Sequence, residues 1–291
     1  MKSINLFCFG FGQVAESFVN KLSSENIKIN LSITSREKTS QKKINQISCN
    51  SFNLEDDHFD IKLIEELKKS DHILISIPPV NGTDIVIKNF SKIIKKCNPK
   101  WITYLSATSV YGDHNGEWVN EKSKTQPTSK NGKDRLIAEK NWISLSHVER
   151  IPIQIFRLSG IYSNKNNPLT RLKSGNANII KNVNHFFSRI HVEDIANVLF
   201  KSIYNFKPNE IYNISDDKPA TSEEVMLYAV KILNVKEPKR INVKDIQSEM
   251  LKNFYKDSKK VSNEKMKKFF DYNLKFPTYV EGLNNIRNNL V

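Results

Sequence analysis

The sequence predicts an α/β fold: a doubly wound parallel sheet of about seven strands with a smaller C-terminal lobe. The first observation is that short apolar runs alternate with amphipathic helical segments through the first half of the chain, as in repeated strand–helix–strand units. The second is the placement of glycine, because most of the nine glycines lie just beyond predicted strands, where open parallel sheets bind ligands. These glycines are Gly10, Gly12, Gly82, Gly112, Gly116 and Gly160.

Each predicted strand is a short apolar run of the kind that is buried on both faces of a parallel sheet. The strands, in order, are 4–9, 27–34, 46–52, 72–77, 101–106, 151–158 and 210–216. Apolar residues at helical spacing, such as Val14, Phe18 and Leu22, mark the segments between them. These helices are predicted at 14–22, 61–69, 83–96, 133–145 and 191–205. Repeated strand–helix–strand units imply right-handed crossovers and hence a parallel sheet.

The pattern changes after Gly160, where a polar, loop-rich stretch begins and the later text becomes mostly helical and lysine-rich. We expect a core of residues 1–160 that is completed by 191–216. The smaller lobe is then formed by 161–190 and 217–291. No linker rich in Gly, Pro or Ser separates these parts, so the sequence predicts one compact unit.

The net charge of +14 raises the possibility of a nucleic-acid interface. The positive charge comes mainly from lysines, however, and these are spread from Lys21 to Lys275. The densest cluster, 259–268, contains no interleaved aromatic residues. We therefore interpret the charge as a solvated surface and expect no nucleic-acid partner. Direct nucleic-acid binding would require a measurable, steeply salt-dependent affinity.

Membrane insertion and secretion are both disfavoured. No apolar run approaches the roughly 20 residues that cross a bilayer. The apolar start after Lys2 is interrupted by glycines and then by Glu16, unlike a signal peptide. Cys8, Cys49 and Cys97 are far apart and have no CxxC spacing, so we expect reduced thiols, no metal site and a cytoplasmic protein.

The segment that follows the first strand reads G-x-G-x-x-A, which is typical of a Rossmann dinucleotide site. Gly10 permits the sharp turn, Gly12 lets pyrophosphate approach the backbone, and a small residue at Ala15 lets the helix pack closely. Gln13 and Val14 begin that helix, whose N-terminus attracts phosphate. The buried strand before the motif and the amphipathic helix after it supply the required context. We expect an NAD(P) cofactor here.

The end of the second strand predicts which dinucleotide is preferred. An NAD site usually offers Asp or Glu there to hold the ribose hydroxyls, whereas this chain has Ser35 followed by Arg36. Arg36 can pair with a 2′-phosphate, so we predict NADP over NAD, with NAD as the alternative if Arg36 is only a surface residue. Ile77, Pro78 and Pro79, after the fourth strand, are predicted to line the cofactor cleft.

Three later stretches resemble a known family. YLSATSVYGDHNGEWVNE (104–121), FRLSGIY (156–162) and RIHVEDIA (189–196) are similar to motifs of the extended short-chain dehydrogenases/reductases, the NAD-dependent epimerase/dehydratase family. An atypical subgroup of that family shares W-V-x-E, F-S-R-I-H-V and S-K-R/K-V-S-N, here at 118–121, 187–192 and 258–263. The resemblance implies a Rossmann sheet and reversible hydride transfer at a hydroxyl-bearing carbon, often of a nucleotide-linked sugar.

The chain departs from the family's usual catalytic residues. The family uses a Tyr, a Lys four residues later and a Ser or Thr on the fifth strand, and the matching positions are Asn131, Arg135 and Ala107. Asn cannot act as a base near neutral pH. Arg135 keeps the positive charge but does not give up a proton. Ser106 adjoins the altered strand position, and we retain Ser106 and Arg135 as candidate catalytic and cofactor-binding residues.

Other candidates follow from the same resemblance. Tyr111, His114 and Tyr162 are candidates to replace the missing base, although each also suits a packing or capping role. The candidate substrate-binding residues of the fifth-strand loop and the smaller lobe are Thr108, His114, Arg171, Phe187 and Arg189. The cations that would hold an anionic group, with solvated surface cations as the alternative, are Arg171, Lys173, Lys181 and Arg189.

The leading hypothesis is thus an NADP-dependent oxidoreductase or epimerase with a non-standard acid/base group. It would act on a small, anionic substrate as a monomer or homodimer. The alternative hypothesis is a non-catalytic NAD(P)-binding protein that senses redox state or holds a partner, because the usual Tyr, Lys and Ser are absent.

Overall fold

The computed structural model describes residues 3–181, 185–248, 252 and 254–289 and has a mixed α/β fold. The strands are β1 (Ser3–Phe9), β2 (Lys28–Ser35), β3 (Ser40–Ile44), β4 (Ile47–Glu55), β5 (His58–Phe59), β6 (His72–Ile75), β7 (Trp101–Ala107), β8 (Trp118–Val119), β9 (Ile153–Leu158), β10 (Gly160–Tyr162), β11 (Ile179–Lys181), β12 (Arg189–His191), β13 (Ile211–Ile214), β14 (Arg240–Asn242) and β15 (Lys260–Val261). Within the described residues, no helix combines the length and apolar character needed to cross a bilayer.

Helices follow most of the strands of the sheet. They are α1 (Gln13–Ser24), α2 (Lys62–Lys68), α3 (Ile85–Cys97), α4 (Lys130–Glu149), α5 (Pro168–Lys173), α6 (Val192–Tyr204), α7 (Ser222–Leu233), α8 (Glu264–Phe270) and α9 (Tyr279–Asn288). Asp84 caps α3, because one carboxylate oxygen accepts hydrogen bonds from Val86 N at 2.9 Å and Ile87 N at 3.1 Å. The other oxygen accepts the indole N–H of Trp142 at 2.9 Å, which ties α3 to α4.

The large sheet confirms the predicted doubly wound topology. Its strand order is β13-β9-β7-β6-β1-β2-β4-β3, and β5 pairs with β4. β1 pairs in parallel with β2 on one side and with β6 on the other. The chain therefore adds β2, β4 and β3 on one side of β1, and later adds β6, β7, β9 and β13 on the opposite side. This reversal creates a topological switch point between the carboxyl ends of β1 and β6, where open α/β sheets bind ligands.

All seven predicted strands are present in this sheet, which has nine strands. The two additional strands, β3 and β5, both run antiparallel to β4. β3 and β4 form a hairpin whose connection is Asn45–Gln46, and both residues have positive φ, 47° and 71°. That conformation gives the two-residue turn that suits the twist of a hairpin.

Both faces of the sheet are covered by apolar packing. On one face, Phe7 and Phe9 of β1 join a core with Phe90 of α3 and Trp142 of α4. On the other face, Phe18 of α1 stacks on Trp101 with ring centroids 5.7 Å apart. This double cover explains why the strands read as continuous apolar runs.

The chain divides into two compact units. The first comprises Met1–Ala107, Lys133–Arg157 and Ile195–Tyr212, and the second comprises Thr108–Gly132, Leu158–Asp194 and Asn213–Val291. The sequence places 108–132 with the core, whereas the structure groups this segment with the second unit. The second unit contains short parallel pairs, β10 with β12, β11 with β14 and β8 with β15, that the sequence pattern did not indicate.

Candidate functional site

The glycine turn lies directly after β1 in the first unit. Gly10 has φ of +80°, and a Cβ there would stand 2.9 Å from Ser76 Oγ and 3.0 Å from Ile77 Cγ1. Thr34 Oγ1 accepts the Gly10 N–H at 2.8 Å. The Ser76 hydroxyl lies 3.0 Å from the carbonyl oxygens of both Phe9 and Gly10, to which it donates. The ends of β2 and β6 therefore hold the turn in a conformation that only glycine adopts easily.

Gly12 differs from Gly10 in having open space beside it. It is exposed and lies at the N-cap of α1 with φ of −93°, and a Cβ there would meet no heavy atom within 4 Å. Behind it, Ala15 is fully buried and Val14 is 6% exposed, while Gln13 is half-buried. The start of a helix is thus exposed at the switch point without a side chain in front of it, an arrangement that suits a phosphate group.

The predicted NADP-selecting residues follow β2. Ser35 is its last residue, and its hydroxyl lies 3.2 Å from that of Ser51. Arg36 is exposed, and the next residue, Glu37, forms an ion pair with Lys42 of β3. That ion pair lowers the pKa of the Glu37 carboxyl, which is therefore ionised and directed to Lys42. An exposed cation, Arg36, thus stands at the end of β2 beside a carboxylate that is paired with another residue.

Three residues after β6 were predicted to line the cofactor cleft. Ile77 lies against Gly10, because its Cγ1 atom would stand 3.0 Å from a Cβ added at Gly10. Pro79 is buried, whereas Pro78 is exposed. The structure thus brings Gly10 and Ile77 together at the switch point.

The altered catalytic positions lie on β7 and α4. Ala107 ends β7, and Ser106 before it is 2% exposed with no hydrogen-bond partner for its Oγ among the described residues. Arg135 donates from Nη1 to the Leu105 carbonyl at 2.8 Å, so its charge is held near the carboxyl end of β7. Asn131 is exposed on α4. A buried hydroxyl without a hydrogen-bond partner among the described residues therefore adjoins Ala107, and the Arg135 guanidinium is held by a backbone carbonyl.

Tyr111 and His114 belong to the second unit. Tyr111 is fully buried, and its hydroxyl donates to Asn213 Oδ1 at 2.7 Å. His114 packs edge-on against Tyr111, and its Nε2 lies 3.2 Å from the Lys124 carbonyl oxygen. Thr108 starts a short 3₁₀ turn that ends at Tyr111. These contacts give Tyr111 a packing role that competes with proton transfer.

Tyr162, at the end of β10, is 6% exposed in the second unit. Its hydroxyl is 3.5 Å from the Thr278 carbonyl, and its ring packs against Gly282, where a Cβ would stand 2.1 Å from that hydroxyl. Burial strongly raises the pKa of Tyr162, and Asp216 and Asp194 raise it further. The phenol therefore stays protonated, which disfavours a role as a base.

The second unit contains a cavity of about 610 Å³. Of the four cations predicted to bind an anion, Arg171 and Arg189 line this cavity, whereas Lys173 and Lys181 are not among its lining residues. Phe187 lies beside it, 6% exposed, with its ring 5.9 Å from the Arg189 guanidinium. A volume of this size and a mostly apolar wall with a few charged groups are typical of small-molecule sites.

The three subgroup motifs, 118–121, 187–192 and 258–263, meet in the second unit. β8 from the first motif pairs with β15 from the third. Val261 of the third motif donates from its backbone N to Ser188 Oγ of the second at 2.9 Å. The three motifs, one of which contains Arg189, therefore contact one another within the second unit.

Sequence reasoning missed four residues that contribute to these sites. Thr34 and Ser76 brace the glycine turn, and Ser222 and Tyr255 line the 610 Å³ cavity. The sequence signal that could have identified Thr34 and Ser76 is a hydroxyl residue at the end of a predicted strand. Ser222 and Tyr255 carry no local motif, because the fold brings them to the cavity from distant positions.

No family model matches the sequence, and no curated protein is similar to it in sequence. Among solved structures, the chain is similar to a functionally unknown conserved protein from Silicibacter pomeroyi DSS, with 30% identity, a TM-score of 0.86 and coverage of 98% of this chain and 99% of that one. It also resembles dTDP-glucose 4,6-dehydratase from Bacillus anthracis str. Ames in complex with NAD, with 16% identity, a TM-score of 0.77 and coverage of 99% and 97%.

A third similar structure is UDP-glucuronic acid 4-epimerase from Bacillus cereus in complex with NAD. Its identity to this chain is 14%, its TM-score is 0.77, and the coverage is 99% of this chain and 100% of that one. The resemblance predicted from the motifs is confirmed at the level of the fold. The chain belongs to one family with the conserved Silicibacter pomeroyi protein, and its fold is the Rossmann fold of the NAD-dependent epimerases and dehydratases.

Proposed function

We propose that the chain binds NADP at the glycine turn and is an oxidoreductase or epimerase acting on an anionic hydroxyl or carbonyl substrate, such as a nucleotide-linked sugar. The observation that carries this proposal is the turn itself, with Gly10 strained and braced and Gly12 open at the start of α1. When bound, the dinucleotide accepts or donates a hydride. The backbone around Gly12 holds its pyrophosphate, and the residues after β2 hold its adenosine ribose.

The fold neighbours support a nicotinamide dinucleotide as the cofactor, since two of them are complexes with NAD. NADP is our preference for this chain because Arg36 is exposed after β2 and Glu37 is paired with Lys42. A guanidinium pairs with a phosphate through charge-assisted hydrogen bonds.

Arg36→Ala should weaken NADPH binding by about tenfold or more, which corresponds to about 1.4 kcal/mol, and leave NADH binding unchanged. The substitution removes the cation that would pair with the 2′-phosphate of NADPH. NADH has no 2′-phosphate, so its affinity should not change. Fluorescence titration of the reduced cofactors measures both affinities. Lys38→Ala is the matched control, because Lys38 is an exposed cation two residues further on. Equal affinities for the two cofactors, unaltered in the Arg36 variant, would refute the preference.

The cavity of the second unit supports an anionic substrate. Arg171 and Arg189 line it, while Asp245 is the one acidic residue among the described residues of its wall. The names of the two enzymes with this fold point to nucleotide-linked sugars, which carry a diphosphate. The positive lining suits such a group.

Incubation of the protein with NADPH and a panel of sugar nucleotides and small carbonyl compounds tests turnover. We expect one member of the panel to change the absorbance of the reduced nicotinamide, or to be converted to its epimer. Tight NADPH binding without turnover of any member would contradict the catalytic part of the proposal.

That contrary outcome would favour the second candidate function, a non-catalytic NAD(P)-binding sensor or regulatory protein. Asn131 and Ala107 in place of the usual base and serine favour this candidate. So do the hydroxyls of Tyr111 and Tyr162, which are directed to Asn213 and Thr278. Any metabolite-dependent change in cofactor absorbance would exclude it.

A further inference from the structure

The connection between β2 and β3 crosses the carboxyl end of β4. In the sheet, β4 lies between these two strands, parallel to β2 and antiparallel to β3. The connection, 36–39, must therefore span two strand spacings, or about 10 Å, with a short stretch of chain. Its backbone groups lie outside the sheet ladder, so they need hydrogen-bond partners other than a neighbouring strand.

Asn53, near the end of β4, supplies such partners. Its Nδ2 donates to the carbonyl oxygens of Arg36 at 3.1 Å and Glu37 at 3.2 Å. Its backbone N donates to Thr39 Oγ1 at 3.1 Å. Ser35 adds one further bond, because its Oγ accepts the Glu37 N–H at 3.3 Å. One asparagine therefore contacts the connection both at its beginning and at its end.

The Arg36 guanidinium depends on this backbone for its position. The side chain is exposed, and its guanidinium forms no hydrogen bond or ion pair with any of the described residues. The neighbouring acid, Glu37, is paired with Lys42 instead. A cation on a mobile loop loses conformational freedom when it binds a phosphate, and a backbone that is already fixed reduces that loss. A constraint on the backbone at Arg36 therefore strengthens phosphate binding without touching the phosphate.

We propose that Asn53 is a positioning residue for cofactor selection: by fixing the backbone of 36–39 it preorganises Arg36 for the 2′-phosphate of NADP. The part that concerns the phosphate rests on the proposed function, whereas the fixing of the connection rests on the hydrogen bonds alone. Asn53 acts through Arg36 and needs no contact with the cofactor. The role requires an amide, because an ionised carboxylate at the same place would face two carbonyl oxygens with no proton to donate.

Tryptic cleavage of the full chain without cofactor tests whether Asn53 fixes the connection. Trypsin cuts after Arg and Lys, and both Arg36 and Lys38 are exposed there. Cleavage requires local release of the backbone, so its rate reports how firmly the connection is held. We expect Asn53→Ala to raise the initial rate of cleavage at these two positions about threefold or more. Asn50→Ala is the matched control, since Asn50 is a half-buried residue of the same strand whose side chain forms no hydrogen bond with the described residues.

Fluorescence titration with NADPH and NADH tests the link to Arg36. Asn53→Ala should weaken NADPH binding about threefold or more and leave NADH binding unchanged, because only NADPH carries the 2′-phosphate. In the Arg36→Ala background, Asn53→Ala should have no further effect on NADPH, since a residue that acts through Arg36 loses its influence with it. Thr39→Val is a second variant should Asn53→Ala unfold. It removes the hydroxyl that accepts the Asn53 N–H, so the same changes are expected in smaller measure.

Equal cleavage rates in Asn53→Ala and Asn50→Ala would overturn the positioning role. So would a loss of NADPH affinity that is the same with and without Arg36. Weaker binding of both cofactors would indicate a direct contact between Asn53 and the adenosine, which also overturns it. If Arg36→Ala itself leaves the NADPH affinity unaltered, the NADP preference of the proposed function fails, and the cleavage rates still decide whether Asn53 fixes the connection.

Discussion

Gly12→Ala should leave the fold intact and weaken NADPH binding by at least about tenfold, or about 1.4 kcal/mol. The backbone at Gly12 has φ of −93°, which alanine adopts without strain, and its Cβ would meet no heavy atom within 4 Å. Neither the backbone conformation nor the packing of the protein therefore requires glycine at this position. The methyl group would instead occupy the space through which pyrophosphate approaches the helix N-terminus. Fluorescence titration with NADPH, beside urea unfolding of the same preparation, measures both effects.

Gly10→Ala is the contrasting variant. Its φ of +80° is unfavourable for alanine by about 1–2 kcal/mol. The added Cβ would also stand 2.9 Å from Ser76 Oγ. We therefore expect Gly10→Ala to lower the free energy of unfolding, whereas Gly12→Ala should lose less than about 1 kcal/mol, the usual effect of an N-cap change. Unaltered NADPH affinity in a folded Gly12→Ala protein would show that the turn does not bind the dinucleotide.

The parallel part of the sheet could be predicted from sequence because strands buried on both faces leave a strong apolar signal. β3 could not, because four of its five residues, 40–43, are polar and the strand lies at the sheet edge, where only one neighbour pairs with it. Its turn, Asn45–Gln46, lacks the Asn-Gly pair that normally marks a hairpin. The short parallel pairs of the second unit have two or three residues a strand, too few for any periodicity.

The same contrast between local and distant information applies to the candidate sites. The glycine turn is encoded within six consecutive residues, and its chemistry could be inferred from them. The residues that line the 610 Å³ cavity are separated by long stretches of chain, as Arg171 and Tyr255 illustrate. No spacing rule joins them, because a cavity in a mixed lobe is assembled by tertiary packing. Arg171 and Arg189 were predicted through the family resemblance, whereas Ser222 and Tyr255 were identified only from the structure.

Glu139→Gln should be the most destabilising charge substitution in the first unit, lowering the free energy of unfolding by about 3–5 kcal/mol. Glu139 on α4 and Arg157 on β9 are 2% and 4% exposed. Arg157 donates from Nε to Oε1 at 3.1 Å and from Nη2 to Oε2 at 2.7 Å. Removing the carboxylate charge abolishes the ion pair that this buried guanidinium forms with Glu139, and breaking a buried pair by removing one partner is strongly destabilising. Urea unfolding followed by circular dichroism measures the loss.

Glu149→Gln is the matched control on the same helix. Glu149 forms an ion pair with Lys95, but the two side chains are 34% and 54% exposed, so water already solvates both charges. An exposed pair contributes about 0–1 kcal/mol, and the control should lose no more than that. Adding Arg157→Met to Glu139→Gln also removes the buried guanidinium charge and should recover much of the lost stability. If Glu139→Gln is as stable as Glu149→Gln, the pair connecting α4 to β9 does not hold the first unit together.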